Sequence, residues 1–177
     1  MKTRIPCLLL VTLLSGCATA PDAVPTGHQG RLVLRQALAI PPDAATVRLQ
    51  HGRIVPNNAV QEQDPFCIFE IDTVAPGEQT VRPGTFTITR VSRSVETFAG
   101  MPVFPFRPLR VALGDGDDGP SQIYYKTTFR LSAPDQPVRA LACMSNQYMP
   151  GNPIMRHLTL AEIRQALGTW FNLEFPA

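Results

Sequence analysis

The sequence predicts a mostly β fold: an antiparallel β-sandwich or flattened barrel with one short C-terminal α-helix. Three observations carry this. Eighteen prolines and twelve glycines punctuate the 177 residues, the pattern of short strands joined by turns. Several stretches alternate apolar and polar with a period of two, as a strand with one buried face must. Helical periodicity is convincing at one place, Leu160 to Leu167.

The chain opens on a segment unlike the rest. Lys2 and Arg4 form a small positive start, Ile5 to Leu14 is a short apolar run, and small residues follow. That is the layout of a secretory signal. A membrane span needs about 20 apolar residues; this run is half as long and contains Pro6. Leu14-Ser15-Gly16-Cys17 resembles the lipobox of bacterial lipoproteins, whose peptidase cuts before a diacylated cysteine. The resemblance implies that Cys17 becomes the first mature residue and carries the lipid. It also implies the periplasmic face of the outer membrane, because alanine follows Cys17 where inner-membrane retention uses aspartate. Two or three acyl chains anchor a protein stably, at about 0.8 kcal/mol per buried methylene. A competing cut lies at Ala18-Thr19-Ala20, the A-x-A form of an ordinary signal peptide, which would release a soluble periplasmic protein. The expected organisation is a signal over 1–16, the lipidated cysteine and a flexible tether over 17–30, and one β-rich domain over 31–177.

Export settles the charge and the thiols. Loss of residues 1–16 leaves 161 residues, which suits a single domain with its own core. Lys2 and Arg4 leave with the signal, so sixteen basic residues become fourteen against fourteen acidic ones. A balanced chain offers no footprint for nucleic acid. Cys7 is lost and Cys17 is committed to lipid, which leaves Cys67 and Cys143 together in an oxidising compartment. A disulfide between them is expected. Neither sits in a C-x-x-C pair, which argues against a thioredoxin-like role.

Taken in order, the ordered domain begins with a strand over Arg31 to Leu38, and Pro41-Pro42-Asp43 forces a turn. Val47 and Leu49 alternate with Arg48 and Gln50; His51-Gly52 turns the chain into Arg53-Ile54-Val55. Pro56 to Asp64 reads as a polar loop with room for one helical turn. Phe66 to Val74 is the clearest central strand, with Cys67, Phe69 and Ile71 on one face and Phe66, Ile68, Glu70 and Asp72 on the other. Turns at Pro76-Gly77 and Arg82-Pro83-Gly84 lead into a strand over Thr85 to Ser92. Gln122 to Leu131 and Val138 to Met144 are further strands, and Cys143 falls on the apolar side of the last. The helix Leu160 to Leu167 has Thr159 and Glu162 for a capping box and Gly168 to end it. It is expected to lie as a lid over one end of the core, with a last strand over Trp170 to Phe175.

Between these elements lie the candidates for chemistry. Pro102, Pro105 and Pro108 recur at the polyproline II period, with Val103, Phe104 and Phe106 between them. Those three residues are candidates to contact a partner, or else to seal the core. Gly114 to Gly119 resembles a calcium loop in composition, but its acidic spacing is broken and the closing glutamate is missing; it reads as a solvated hairpin tip. Met144, Met149, Met155 and His157 offer soft ligands that suit copper(I), at spacings that form no compact motif. Glu70 and Asp72 share a strand face, as glycoside chemistry would require, although such pairs usually form a strand's wet side. No nucleophile elbow, zinc motif or phosphate loop is present. The reading is therefore no catalytic residue, no metal and no cofactor. A lipid-anchored, non-catalytic accessory module with an envelope protein partner is expected, ahead of a copper-binding or cell-wall glycan-binding domain.

Overall fold

The computed structural model describes residues 24, 30–96, 123–146 and 156–176. In chain order the elements are β1 (Gly30–Leu34), β2 (Leu38–Ile40), β3 (Thr46–Gln50), β4 (Arg53–Val55), a 3-10 turn (Asn57–Ala59) and β5 (Phe66–Ile71). They continue with β6 (Gln79–Val81), β7 (Gly84–Glu96), β8 (Tyr124–Ser132), β9 (Val138–Met144), α1 (Leu160–Leu167) and β10 (Phe171–Glu174).

Eight strands form one antiparallel sheet in the order β10-β1-β7-β8-β9-β5-β3-β4, and β2 pairs with β6 in a small second sheet. The large sheet is curled. Flat, with about 4.8 Å between strands, β10 and β3 would lie roughly 29 Å apart. Yet α1, about 12 Å long, touches β10, β5 and β3 together. The architecture is thus an open half-barrel, one sheet bent round a helix. Two irregularities interrupt its pairing, near Thr89 in β7 and near Arg139 in β9; bulges of this kind bend a strand and sharpen its twist.

The concave side is the core. Leu32, Leu49, Phe69, Phe86, Phe129 and Leu141 meet Ile163 and Leu167 of α1, all fully buried. The Phe69 ring packs on both Phe86 and Phe171, at centroid distances of 6.1 and 5.1 Å. The helix presents the expected stripe of Leu160, Ile163, Ala166 and Leu167, and Thr159 and Glu162 form the full capping box. Cys67 and Cys143 stand directly opposite each other on neighbouring strands β5 and β9, their Cα atoms 4.1 Å apart and their sulfurs joined at 2.08 Å.

The predicted class holds, and the differences are local. The first strand ends at Leu34 instead of Leu38, and Leu38–Ile40 leaves to pair with β6, a strand the turn-rich sequence around it concealed. Strand β7 runs on to Glu96, because pairing with β8 persists through Glu96↔Tyr124. Residue 24 does not behave as tether: Val24 is buried against the core and its carbonyl accepts from Arg93 Nη2 at 3.1 Å.

Candidate functional site

Strand β5 is buried on both faces, so the convex side of the sheet is more than a wet surface. Phe66, Ile68, Tyr124, Ala142 and Met144 form a second apolar cluster there, with Val60 packed on it. Burying this cluster also buries the polar groups around it, and each of those must find a partner. The Tyr124 hydroxyl donates to Glu62 Oε2 at 2.5 Å. Burial, then the Glu62 carboxylate, hold that phenol well above its ordinary range. Lys126, two residues along the same face, is 2% exposed and ion-paired with Glu96. The other Glu96 oxygen accepts from Ser94 Oγ at 2.8 Å.

Glu70 lies on this face too, and here the sequence reading needs correction. Its side chain is buried, with Arg139 Nη1 3.4 Å from Oε1. The same guanidinium reaches Asp72 at 3.9 Å. Burial pushes the Glu70 carboxyl up, while Arg139, Arg130 and Lys126 draw it back down. Arg139 thus bridges the two carboxylates, with Glu70 buried beside it and Asp72 largely exposed. The three side chains form an ion cluster on the convex face.

The remaining predicted residues divide into placed and unplaced. Met144 is buried in the convex cluster. His157 Nε2 lies 3.2 Å from the Ser94 carbonyl, and its ring meets Tyr125 edge-on at 5.4 Å. Burial lowers its pKa, and the neutral ring donates through Nε2 to the carbonyl. These contacts fasten the approach to α1 onto β7. Cys17, Val103, Phe104, Phe106, Met149, Met155 and the acidic loop over 114–119 lie outside the described residues. Among the described residues no three His, Cys, Asp or Glu side chains are grouped to hold a metal ion.

A further site was not anticipated. His51 and Gly52 both take positive φ, 51° and 73°, which makes the tight β3–β4 turn. Strand β4 has three residues before Pro56, so its pairing stops at Arg48↔Val55 while Thr46 and Val47 run on without it. Beside that free stretch is a cleft of about 540 Å3. Its walls include Pro41, Val47, Ile54, Val55 and Pro56, and Arg48 supplies a cation. Ile54 is 39% exposed. Arg48 is half-buried, and burial lowers its pKa. No hydrogen-bond or ion-pair partner among the described residues answers its charge. At the opposite sheet edge a cleft of about 450 Å3 lies between Gly30, Thr87 and Phe175. Its charges are satisfied internally, Arg31 facing Glu174 at 3.7 Å. Alternation with Val47 and Leu49 made Arg48 look like an ordinary solvent-facing residue. Nothing in the local sequence showed that the Pro41 and Pro56 turns would fold over it.

Comparison with protein-family models, with curated proteins and with solved structures found no match to this chain. What defines the protein's class is therefore its own geometry among the described residues: an antiparallel half-barrel, Glu70 and Lys126 paired on the convex face, and a cleft holding Arg48 at a sheet edge. Among the described residues no helix is long and apolar enough to cross a membrane.

Proposed function

We propose that this chain is a lipid-anchored envelope lipoprotein, held through Cys17 at the periplasmic face of the outer membrane. In this reading it serves as a non-catalytic accessory module that docks an envelope protein. The anchor rests on Leu14-Ser15-Gly16-Cys17 and the apolar run before it. The docking role rests on one observation: the free edge of β3 beyond β4, flanked by an apolar cleft. An open edge takes an added strand through main-chain hydrogen bonds, and adjoining pockets choose its side chains. The engagement of buried Glu70 with Arg139 supports a binding role over glycoside chemistry.

The test is photocrosslinking in living cells from position 54 on β4, position 172 on β10 and position 104 in the proline-rich segment. A defined envelope protein trapped from at least one position is the expected result. Failure at all three overturns the docking role. Mass spectrometry of the native amino terminus checks the anchor separately: an acylated Cys17 is expected, and a free terminus at Pro21 refutes it.

A further inference from the structure

We propose that the cleft beside β3 and β4 is a recognition site for an extended, apolar peptide segment carrying one acidic side chain. Arg48 is the residue that selects for that acid. The inference rests on the docking role above and names the chemistry of its partner.

Three features of the cleft converge. Its volume, about 540 Å3, falls within the range of specific ligand sites, roughly 300–1,000 Å3. Pro41, Val47, Ile54, Val55 and Pro56 give it apolar walls, which suit β-branched side chains and repel a fully hydrated ligand. Arg48 places a half-buried guanidinium among them with no partner among the described residues. A cation withdrawn from water and left without a counter-charge is costly. An incoming carboxylate relieves that cost with up to two parallel N–H···O bonds. The β3 edge at Thr46, whose amide and carbonyl point away from β5, decides between an acidic peptide and a simple amphiphile such as a fatty acid. It offers one backbone donor and one acceptor that a peptide can use and an acyl chain cannot. The second cleft shows the contrast, because Arg31 there already faces Glu174.

The experiment uses the full-length mature protein in detergent micelles. Its probe is a fluorescein-labelled heptapeptide of alternating valine and threonine with one central glutamate, both ends capped. Anisotropy should show saturable binding. Replacing the probe's glutamate by glutamine, or making Arg48→Gln, should each weaken binding about tenfold, and the two changes together should add little more. Arg48→Lys should restore part of the loss, and unchanged melting of both variants would show that the fold is intact. Equal affinity for the glutamate and glutamine probes would overturn the assignment. So would no saturation by about 1 mM, or displacement of the probe by dodecanoate, which would assign the cleft to amphiphilic carboxylates. If the probe fails while crosslinks from position 54 still trap a partner, docking stands and the acidic-peptide assignment falls. Failure of both removes the two together.

Discussion

Gly52 and Gly168 meet backbone against backbone: a Cβ placed on Gly168 would stand 2.3 Å from the Gly52 Cα. Both residues take positive φ, 73° and 57°, and the Gly52 amide donates to the Ala166 carbonyl at 3.0 Å. The β3–β4 turn is thereby seated on the end of α1. Gly168→Ala combines a strained backbone, at about 1–3 kcal/mol, with a backbone collision no side chain can relax. We expect it to destabilise the protein by about 3 kcal/mol in urea melts. Gly52→Ala, whose added carbon would meet Gly168 Cα at 3.2 Å, should cost less. Gly77→Ala, which meets nothing within 4 Å, should be nearly neutral.

Reduction of the Cys67–Cys143 bond should be felt globally. The bridge spans 76 residues of sequence, for which the chain-entropy model gives about 4.5 kcal/mol and measured values often less. The double variant Cys67→Val/Cys143→Val should fold and melt about 10 °C lower, at roughly 2–4 °C per kcal/mol for a domain of this size. Treating the unaltered protein with dithiothreitol should reproduce most of that shift. An unchanged melting temperature under complete reduction would refute a stabilising bridge.

Arg139→Gln should leave Glu70 buried beside a weaker set of charges. With Arg130 and Lys126 still contributing, we expect a loss of about 2 kcal/mol at pH 7.5, below the 3–5 kcal/mol of a fully broken buried pair. Burial already favours the protonated form of Glu70, and losing Arg139 favours it further. The variant should therefore recover part of its deficit as the pH is lowered toward 4.5. Stability curves for both proteins at the two pH values would check the sign.

Acid should unfasten the helix start. Two hydrogen bonds of 2.8 Å from Arg156, and those from Thr159, pull Glu162 down to about 2 from the usual 4.5. A depressed carboxylate contributes stability that is complete above its unfolded pKa and lost as the pH falls through the folded one. The contribution should therefore disappear between about pH 4.5 and 2. Because the pair is partly exposed, solvent screens it, and Glu162→Gln should cost about 1–2 kcal/mol at pH 7. The variant's acid limb should be correspondingly flatter. His157, lowered by burial, works in the same direction: stability held above pH 6.5 should decline below it, and His157→Phe should remove that step.

Local signals survived folding where one residue's chemistry decides the outcome. Thr159, Glu162 and Gly168 marked the helix to the residue, and His51-Gly52 marked its turn, because caps and positive φ are set within a few positions. The faces of β5 and β9 were legible from alternation, which put Cys67 and Cys143 on apolar sides, but not that the two strands are neighbours with the cysteines in register. What alternation cannot show is burial of a strand's second face. Glu70 and Lys126 look solvated in sequence, yet Val60 and the cluster of Phe66, Ile68 and Tyr124 make that side an interior. The Arg48 cleft is hidden for a related reason, since its walls come from stretches around Pro41, Val47 and Pro56 that meet only in space.

The brevity of β4 has a bearing on self-association. A long, flat, unpaired strand at a sheet margin is a template on which copies stack into fibres. Here the margin offers three residues and then Pro56, which lacks the amide hydrogen a further rung would need. The opposite margin, β10, is four residues long, with Pro176 two positions beyond its end. Short borders of this kind leave little edge on which a second copy could stack, so the open sheet is guarded against self-association by the brevity of its outer strands.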